Sequence, residues 1–383
     1  MPARARKEIV DGKSPGYYLV TQRVVRGLRL TGVDGITGRD YSYRQAKLER
    51  RIRELAGLYL IEIAEFTCGA DGFDLLVRTR PDLLPSLTNE DVVRRMLRRS
   101  EKQLELKPPP TDEAVSAALA DAKRLAKLRA RIVNLSQFMG DVDEAMARDV
   151  NRESGGGERD LPLGRLWHGR FNSVRVLDPP ALLLAAAYVE SKKVVDGEAA
   201  TIETAACSSA ALRGRTLDGQ DAPAKRDVSS ETSVERQPST KVELSAEGPE
   251  ELGDDLRRDN HRVEKSDAWL LPMVERMSTV ASETFESGPY LGIAFSQFRR
   301  LLRWTLERAK AVGESGKADV DDELVSVFER FRLRVDVWVE AVKNFRRWFR
   351  TAVGLGDAMK SFAKRLGVAW LAGQGRRHHP FTE

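Results

Sequence analysis

The order of patterns along this chain predicts an α+β protein: an antiparallel sheet with a helical insertion, then a disordered linker, then an all-α C-terminal domain. Three observations carry that expectation. The first eighty residues alternate aromatic and β-branched runs with one helical pattern. Residues 216–265 are rich in Ser, Glu, Asp and Pro and nearly lack aromatics. Beyond Ser266 the apolar residues recur at helical spacing among tryptophans, from Trp269 through Trp304, Trp338 and Trp348 to Trp370.

Residues 16–25 (Gly-Tyr-Tyr-Leu-Val-Thr-Gln-Arg-Val-Val) read as a strand. After a connection through Gly32, Gly35 and Gly38, residues 42–57 set Ala46, Ile52 and Leu55 on one helical face and arginines on the other. Two strand-like runs follow, Leu58 to Thr67 and Gly72 to Thr79, joined by Cys68-Gly69-Ala70-Asp71, which has hairpin chemistry. Strand, helix, strand, strand is the opening of a ferredoxin-like antiparallel sheet. From Thr88 to about Asn151 the pattern is helical. Pro108-Pro109-Pro110 interrupts it, and Thr111 with Asp112 restarts a helix as an N-cap does. Ser154-Gly155-Gly156-Gly157 reads as a flexible loop, Arg165 to Val176 as a strand, and about Pro180 to Lys192 as a helix. The expected units are residues 14–215 with a helical insertion at about 85–150, a linker at 216–265, and a helical domain at 266–375.

Composition narrows the class. Of 383 residues, 41% are apolar and 32% charged; no run approaches the roughly eighteen apolar residues of a membrane span. The basic start, Met1 to Lys7, has no apolar core after it, so the expected compartment is the cytoplasm. Cys68 and Cys207 are too few and too distant in sequence for a zinc site or a disulfide framework. The net charge of +5 divides into about +6 before residue 216, about −5 in the linker and about +4 after it. Two basic folded parts flanking an acidic connector favour polyanionic partners.

Four stretches, in order, resemble the REP-associated tyrosine transposases, a group of single-tyrosine HUH enzymes. Tyr17-Tyr18-Leu19-Val20-Thr21-Gln22-Arg23 matches the family's early Tyr-His-Val-Thr-Ser-Arg strand. Gly72-Phe73-Asp74-Leu75-Leu76-Val77 stands where the family carries His-hydrophobic-His before Leu-Leu-Val. Leu135-Ser136-Gln137-Phe138-Met139 matches a Leu-Ser-x-Phe-Met helix, which ends here in Asp149-Val150-Asn151-Arg152 rather than near aromatic-Asn-Arg. Leu166-Trp167-His168-Gly169-Arg170-Phe171-Asn172-Ser173 matches Leu-Trp-x-x-Arg-Phe-x-Ser, followed by the helix bearing Ala186-Ala187-Tyr188-Val189-Glu190. The matches span about residues 14–210.

The resemblance implies a chemistry that these residues no longer provide. In active relatives two histidines on one strand face hold a divalent metal, Mg²⁺, that polarises the scissile phosphate, and a helix-borne tyrosine attacks it. Here Gly72 offers no ligand atom, and Asp74 alone is one carboxylate, read as a solvated or salt-bridged strand residue. The seven tyrosines lie at 17, 18, 41, 43, 59, 188 and 290, none in the helix from Ile132 to Arg152; Asp149 or Val150 holds the expected place. No catalytic residue, metal or cofactor is therefore assigned. His168 reads as a surface contact, His261 as a linker residue and His378-His379 as a polar tail.

Binding demands less than in-line chemistry. Arg23, Arg26, Arg165, Trp167, His168, Arg170, Asn172 and Arg175 are the candidate nucleic-acid contacts. The arginines would meet phosphates, and Trp167 would meet an unpaired base unless it packs into the core with Phe171. Arg94, Arg95, Arg98 and Arg99 read as a solvated helix face, and Phe345-Arg346-Arg347-Trp348-Phe349-Arg350 as either a DNA-docking segment or an amphipathic helix. The expected function is a transposase-like DNA-binding protein without nuclease activity. It would prefer hairpin or single-stranded DNA and form a dimer, as the resemblance implies, with no membrane partner. Two alternatives stand beside it: an active metal-dependent transposase with substituted ligands, and an interaction remnant that binds no DNA.

Overall fold

The computed structural model of the protein describes residues 6–25, 27–35, 37–99, 108–154, 165–217, 269–273, 285–286, 288, 290–310, 320–373 and 379–382. The linker expected at 216–265 lies outside the described residues except for its first two positions, as do Arg26, Gly155 to Gly157, His261 and His378.

After a four-residue helix α1 (Arg6–Ile9), strand β1 (Gly16–Arg23) runs through the middle of a five-stranded sheet. Its residues are buried up to Gln22 because β3 (Gly72–Thr79) pairs on one side and β4 (Asn172–Val176) on the other, both antiparallel. Strand β2 (Ile61–Gly69) completes a hairpin with β3, so four strands stand in the order β2-β3-β1-β4. The hairpin is tighter than the sequence suggests: Cys68 and Gly69 belong to β2, leaving Ala70 and Asp71 as the turn.

Alternation along β1 sends Tyr18 and Val20 to one face and Tyr17 and Leu19 to the other. The first face is covered by α2 (Tyr43–Ala56) and α6 (Leu135–Ser154). Leu48, Ile52 and Leu55 of α2 and Phe138, Met139, Val142, Met146 and Val150 of α6 meet Phe66, Phe73, Leu75 and Val77 there. Helices α3 (Asn89–Arg98), α4 (Asp112–Ala120) and α5 (Ala122–Ile132) pack around Val93, Val115 and Ala118 at its flank. Their starts are fixed by side chains: a capping box between Thr88 and Asp91, Thr111 on Ala114 N, and Asp121 on Arg124 N.

The second face carries α7 (Pro179–Val195), which is buried almost all round because it is covered from both sides. One side is the sheet. The other is the C-terminal part: α9 (Phe295–Lys310), α10 (Asp322–Arg330), α11 (Val335–Lys343) and α12 (Phe345–Trp348). Helix α8 (Ser209–Leu217) packs beside β2. Trp304 and Trp338 lie in this core as expected, the Trp338 indole donating to Thr305 Oγ1 at 2.9 Å, whereas Trp370 is 56% exposed.

Three expectations are corrected. The sheet is mixed, because β5 (Ala352–Val353), just before α13 (Gly356–Arg365), pairs parallel with β4. The C-terminal part is for the same reason helical but not all-α. The outer edge of β4 would otherwise leave its amides unpaired; instead Arg175 N donates to Thr351 O and Leu177 N to Val353 O. The strand expected from Arg165 to Val176 begins only at Asn172. Before it the chain crosses the end of β1, where Trp167 bridges to Val24 and gives its indole N–H to Asp143 O at 2.9 Å. Among the described residues, no helix is long and apolar enough to cross a membrane.

Candidate nucleic-acid interface

Gly72 and Asp74 lie on β3, between β2 and β1. Asp74 shares the α7 face with Leu76, and its neighbour across the pair is Thr21. Both carboxylate oxygens are engaged: Thr21 Oγ1 donates to Oδ1 at 2.6 Å, and Arg23 Nη2 to Oδ2 at 2.8 Å. Arg23 also reaches Asp71 at 3.2 Å. Burial by itself would push the guanidinium down, but Asp74 and Asp71 overcome it and hold Arg23 above the usual arginine range.

Gly72 is closed to substitution by its backbone. Its φ is +150°, and a Cβ there would lie 2.0 Å from Gln22 O and 2.9 Å from Arg23 Cα. A histidine cannot stand at this position without moving β1. A divalent metal therefore finds one carboxylate already bonded to a cation and a hydroxyl, a donor set that does not fit it. Among the described residues no group of three or more His, Cys, Asp or Glu is gathered as a metal would need.

The structure does not bring the strand positions together with those on α6. Val150 is packed in the core on the opposite face of the sheet, among Phe73 and Leu75. Asp149 pairs with Arg152 at 3.3 Å, at the rim of a cleft of about 580 Å³ between α2 and α6. That cleft is rich in cations, but they meet carboxylates: Arg51 with Glu54, Arg131 with Asp141, Arg148 with Glu144 and Lys47 with Glu153.

The candidate binding residues divide. Arg23 is taken by its ion pairs, and Arg175 is buried, its Nη1 donating to the Tyr18 hydroxyl at 2.7 Å with the guanidinium over that ring. Trp167 packs edge-on against Phe73 at 5.7 Å, and Phe171 is buried too, so the packing alternative holds and neither ring offers a face to a base. Adjoining strands and helices cover the side chains of Arg175 and Trp167, and Arg23 is occupied by its two carboxylates. Arg165, His168, Arg170 and Asn172 are exposed, and the arginines have no ion pair among the described residues. His168 N donates to Arg23 O at 2.9 Å, which ties this exposed stretch to the end of β1. Arg26 lies outside the described residues.

Sequence reasoning missed what tertiary contact adds at this end of the sheet. Lys192 on α7 approaches Asp71 at 3.9 Å, and α7 also packs on α11 and, through the stack of Tyr188 on Phe345, on α12, which carries Arg346 and Arg347. The run Phe345 to Arg350 was visible as basic and aromatic. Phe345 and Phe349 prove to be buried, while Arg347 and Arg350 face outward. Comparison with family models, with curated proteins and with solved structures finds no match to this chain.

Proposed function

We propose that the protein binds DNA and descends from a single-tyrosine HUH transposase whose nuclease chemistry it lacks. The observation that carries the reading is strand β3. Gly72 and Asp74 stand in the His-hydrophobic-His positions of the resemblance, with Asp74 bonded to Thr21 and Arg23. The order β2-β3-β1-β4, with α2 between β1 and β2 and α6 before β4, supports the ferredoxin-like arrangement that the resemblance implies. The binding surface of this reading is the exposed stretch Arg165, His168, Arg170 and Asn172. Its cations and amide can contact phosphates without any catalytic group.

The test is a titration of the full chain against hairpin, single-stranded and duplex DNA at two salt concentrations, with an Arg165→Ala/Arg170→Ala variant and a nicking assay in Mg²⁺ and Mn²⁺. The reading expects preferential binding to hairpin or single strands, weakened by salt and by the variant, and no strand cleavage. Cleavage lost in Asp74→Ala would favour a transposase with substituted ligands. Absence of binding at low salt would leave an interaction remnant.

A further inference from the structure

On the sheet face that bears Asp74, the C-terminal half of α7 and the turn between α11 and α12 enclose a pocket of about 170 Å³. Four cationic side chains line it, Lys192, Lys343, Arg346 and Arg347, against one carboxylate, Asp196. Asp196 is spoken for by Lys192, one turn away, and Lys343 reaches Glu340 at 3.6 Å. Arg346 and Arg347 have no ion pair among the described residues.

Tyr188 also lines the pocket. Tyr188 is 8% exposed, and its ring stacks on Phe345 at 5.1 Å, so the residue that precedes Arg346 holds the phenol in place. Its hydroxyl has no hydrogen-bond partner among the described residues. Burial and the Asp74 carboxylate push its ionisation well above the usual tyrosine range, against the opposing pull of Arg23 and Arg346. Tyr188 is therefore held as a phenol at the wall of the pocket, within reach of the positive charge of Arg346. Fixed N–H and O–H donors around a net positive charge are what a phosphoryl group requires, and guanidinium groups match its oxygens in pairs. The size agrees. The space is that of on the order of five waters, and well below the roughly 300 Å³ at which pockets for drug-sized ligands begin.

We propose that this pocket is a phosphate-binding subsite, which takes one phosphoryl group of a nucleic acid against Arg346, Arg347 and the hydroxyl of Tyr188. The nucleic-acid part of this inference rests on the function proposed above. The phosphoryl group is either a backbone phosphodiester or a terminal 5′-phosphate.

The first arm of the test contains no nucleic acid: calorimetric titration of the full chain with inorganic phosphate and with pyrophosphate at constant ionic strength. Saturable binding is expected. Arg346→Ala should weaken it at least tenfold, and Tyr188→Phe, which keeps the stack on Phe345, several-fold, with unchanged circular dichroism. No saturable binding, or binding that neither variant alters, overturns the subsite. The second arm compares one single-stranded oligonucleotide with a 5′-phosphate or a 5′-hydroxyl. Tighter binding of the phosphorylated strand, lost in Arg346→Ala, assigns the terminal group; equal binding weakened by Arg346→Ala assigns the backbone. Phosphate binding without oligonucleotide binding overturns the nucleic-acid reading and keeps the anion site. Oligonucleotide binding indifferent to Arg346→Ala, with no phosphate binding, does the reverse.

Discussion

Arg23 on β1 donates a 2.8 Å hydrogen bond from Nη2 to Oδ2 of Asp74 on β3, and the Asp74 side chain is wholly shielded from solvent. A metal at this carboxylate would have to displace the guanidinium. Asp74→Ala removes the partner of a charge that is itself mostly buried, and is expected to destabilise the protein by about 3 kcal/mol. The measurement is urea unfolding. Mg²⁺ should leave the midpoint of the parent protein unchanged; a metal-induced rise that disappears in Asp74→Ala would identify a ligand instead.

A histidine pair introduced at positions 72 and 74 should not create a metal site. At Gly72 a Cβ would meet Gln22 O at 2.0 Å, and φ is +150°. Gly72→His is expected to cost at least about 1–3 kcal/mol, the range of backbone strain for such a conformation. Unfolding of Gly72→His/Asp74→His, followed with and without Mn²⁺, checks this. A double variant as stable as the parent would show that β1 gives way readily.

Salt dependence separates phosphate contacts from other surface effects. Each phosphate contact contributes about 0.7–0.9 to the slope of log affinity against log salt. Arg165 and Arg170 are exposed and form no ion pair among the described residues, so Arg165→Ala/Arg170→Ala is expected to lower that slope by between one and two and to leave the unfolding midpoint unchanged. Fluorescence anisotropy over a salt series reads the slope. An unaltered slope would move the binding surface elsewhere.

Stability should fall as pH rises through the weakly acidic range. Burial raises Asp178, the cap of α7, from 3.8 to about 6, against the opposing hydrogen bonds from Leu355 N and Ala181 N. Between those values the folded chain holds a proton that the unfolded chain releases. The contribution is thus complete below about pH 4 and lost as pH passes about 6, amounting to about 3 kcal/mol. Glu190 is displaced in the same direction by burial and by the neighbouring Glu65 charge, and extends the trend upward. Asp178→Asn, which retains a capping oxygen, should flatten the profile between pH 4 and 6. Thermal unfolding over that range tests it, and an unflattened profile would remove Asp178 from the account.

Cys68 and Cys207, remote in sequence, meet in the fold: Cys68 N donates to Cys207 O at 3.0 Å, and both thiols are free and buried. The hydrogen bond to Cys68, with burial, pushes Cys207 well above the usual thiol range. Neither should react with a disulfide reagent in the native protein at neutral pH, and both should react on unfolding. Rapid native labelling would mean that this end of β2 opens readily.

Most of the elements, and their order, are legible in local patterns of the sequence. The alternation of Tyr17 to Gln22 made β1, and Thr88 and Thr111 started helices where caps are needed; in α2, Ile52 and Leu55 face the core as expected, whereas Ala46 is exposed and Leu48 takes the place expected of it. These are local patterns, set by side-chain periodicity and by backbone donors within a few residues. The absence of a histidine pair and of a tyrosine in α6 was equally plain from the letters. Which candidate cations remain exposed follows from long-range contacts instead. Arg23 and Arg175 looked like surface cations until strands and helices far along the chain enclosed them, whereas Arg165 and Arg170 stayed open. Tertiary structure also brought β5 to the edge of β4 and set Arg346 beside Tyr188, across about 160 residues of chain. Contacts at that separation depend on which apolar faces bury each other, and no local pattern encodes that choice.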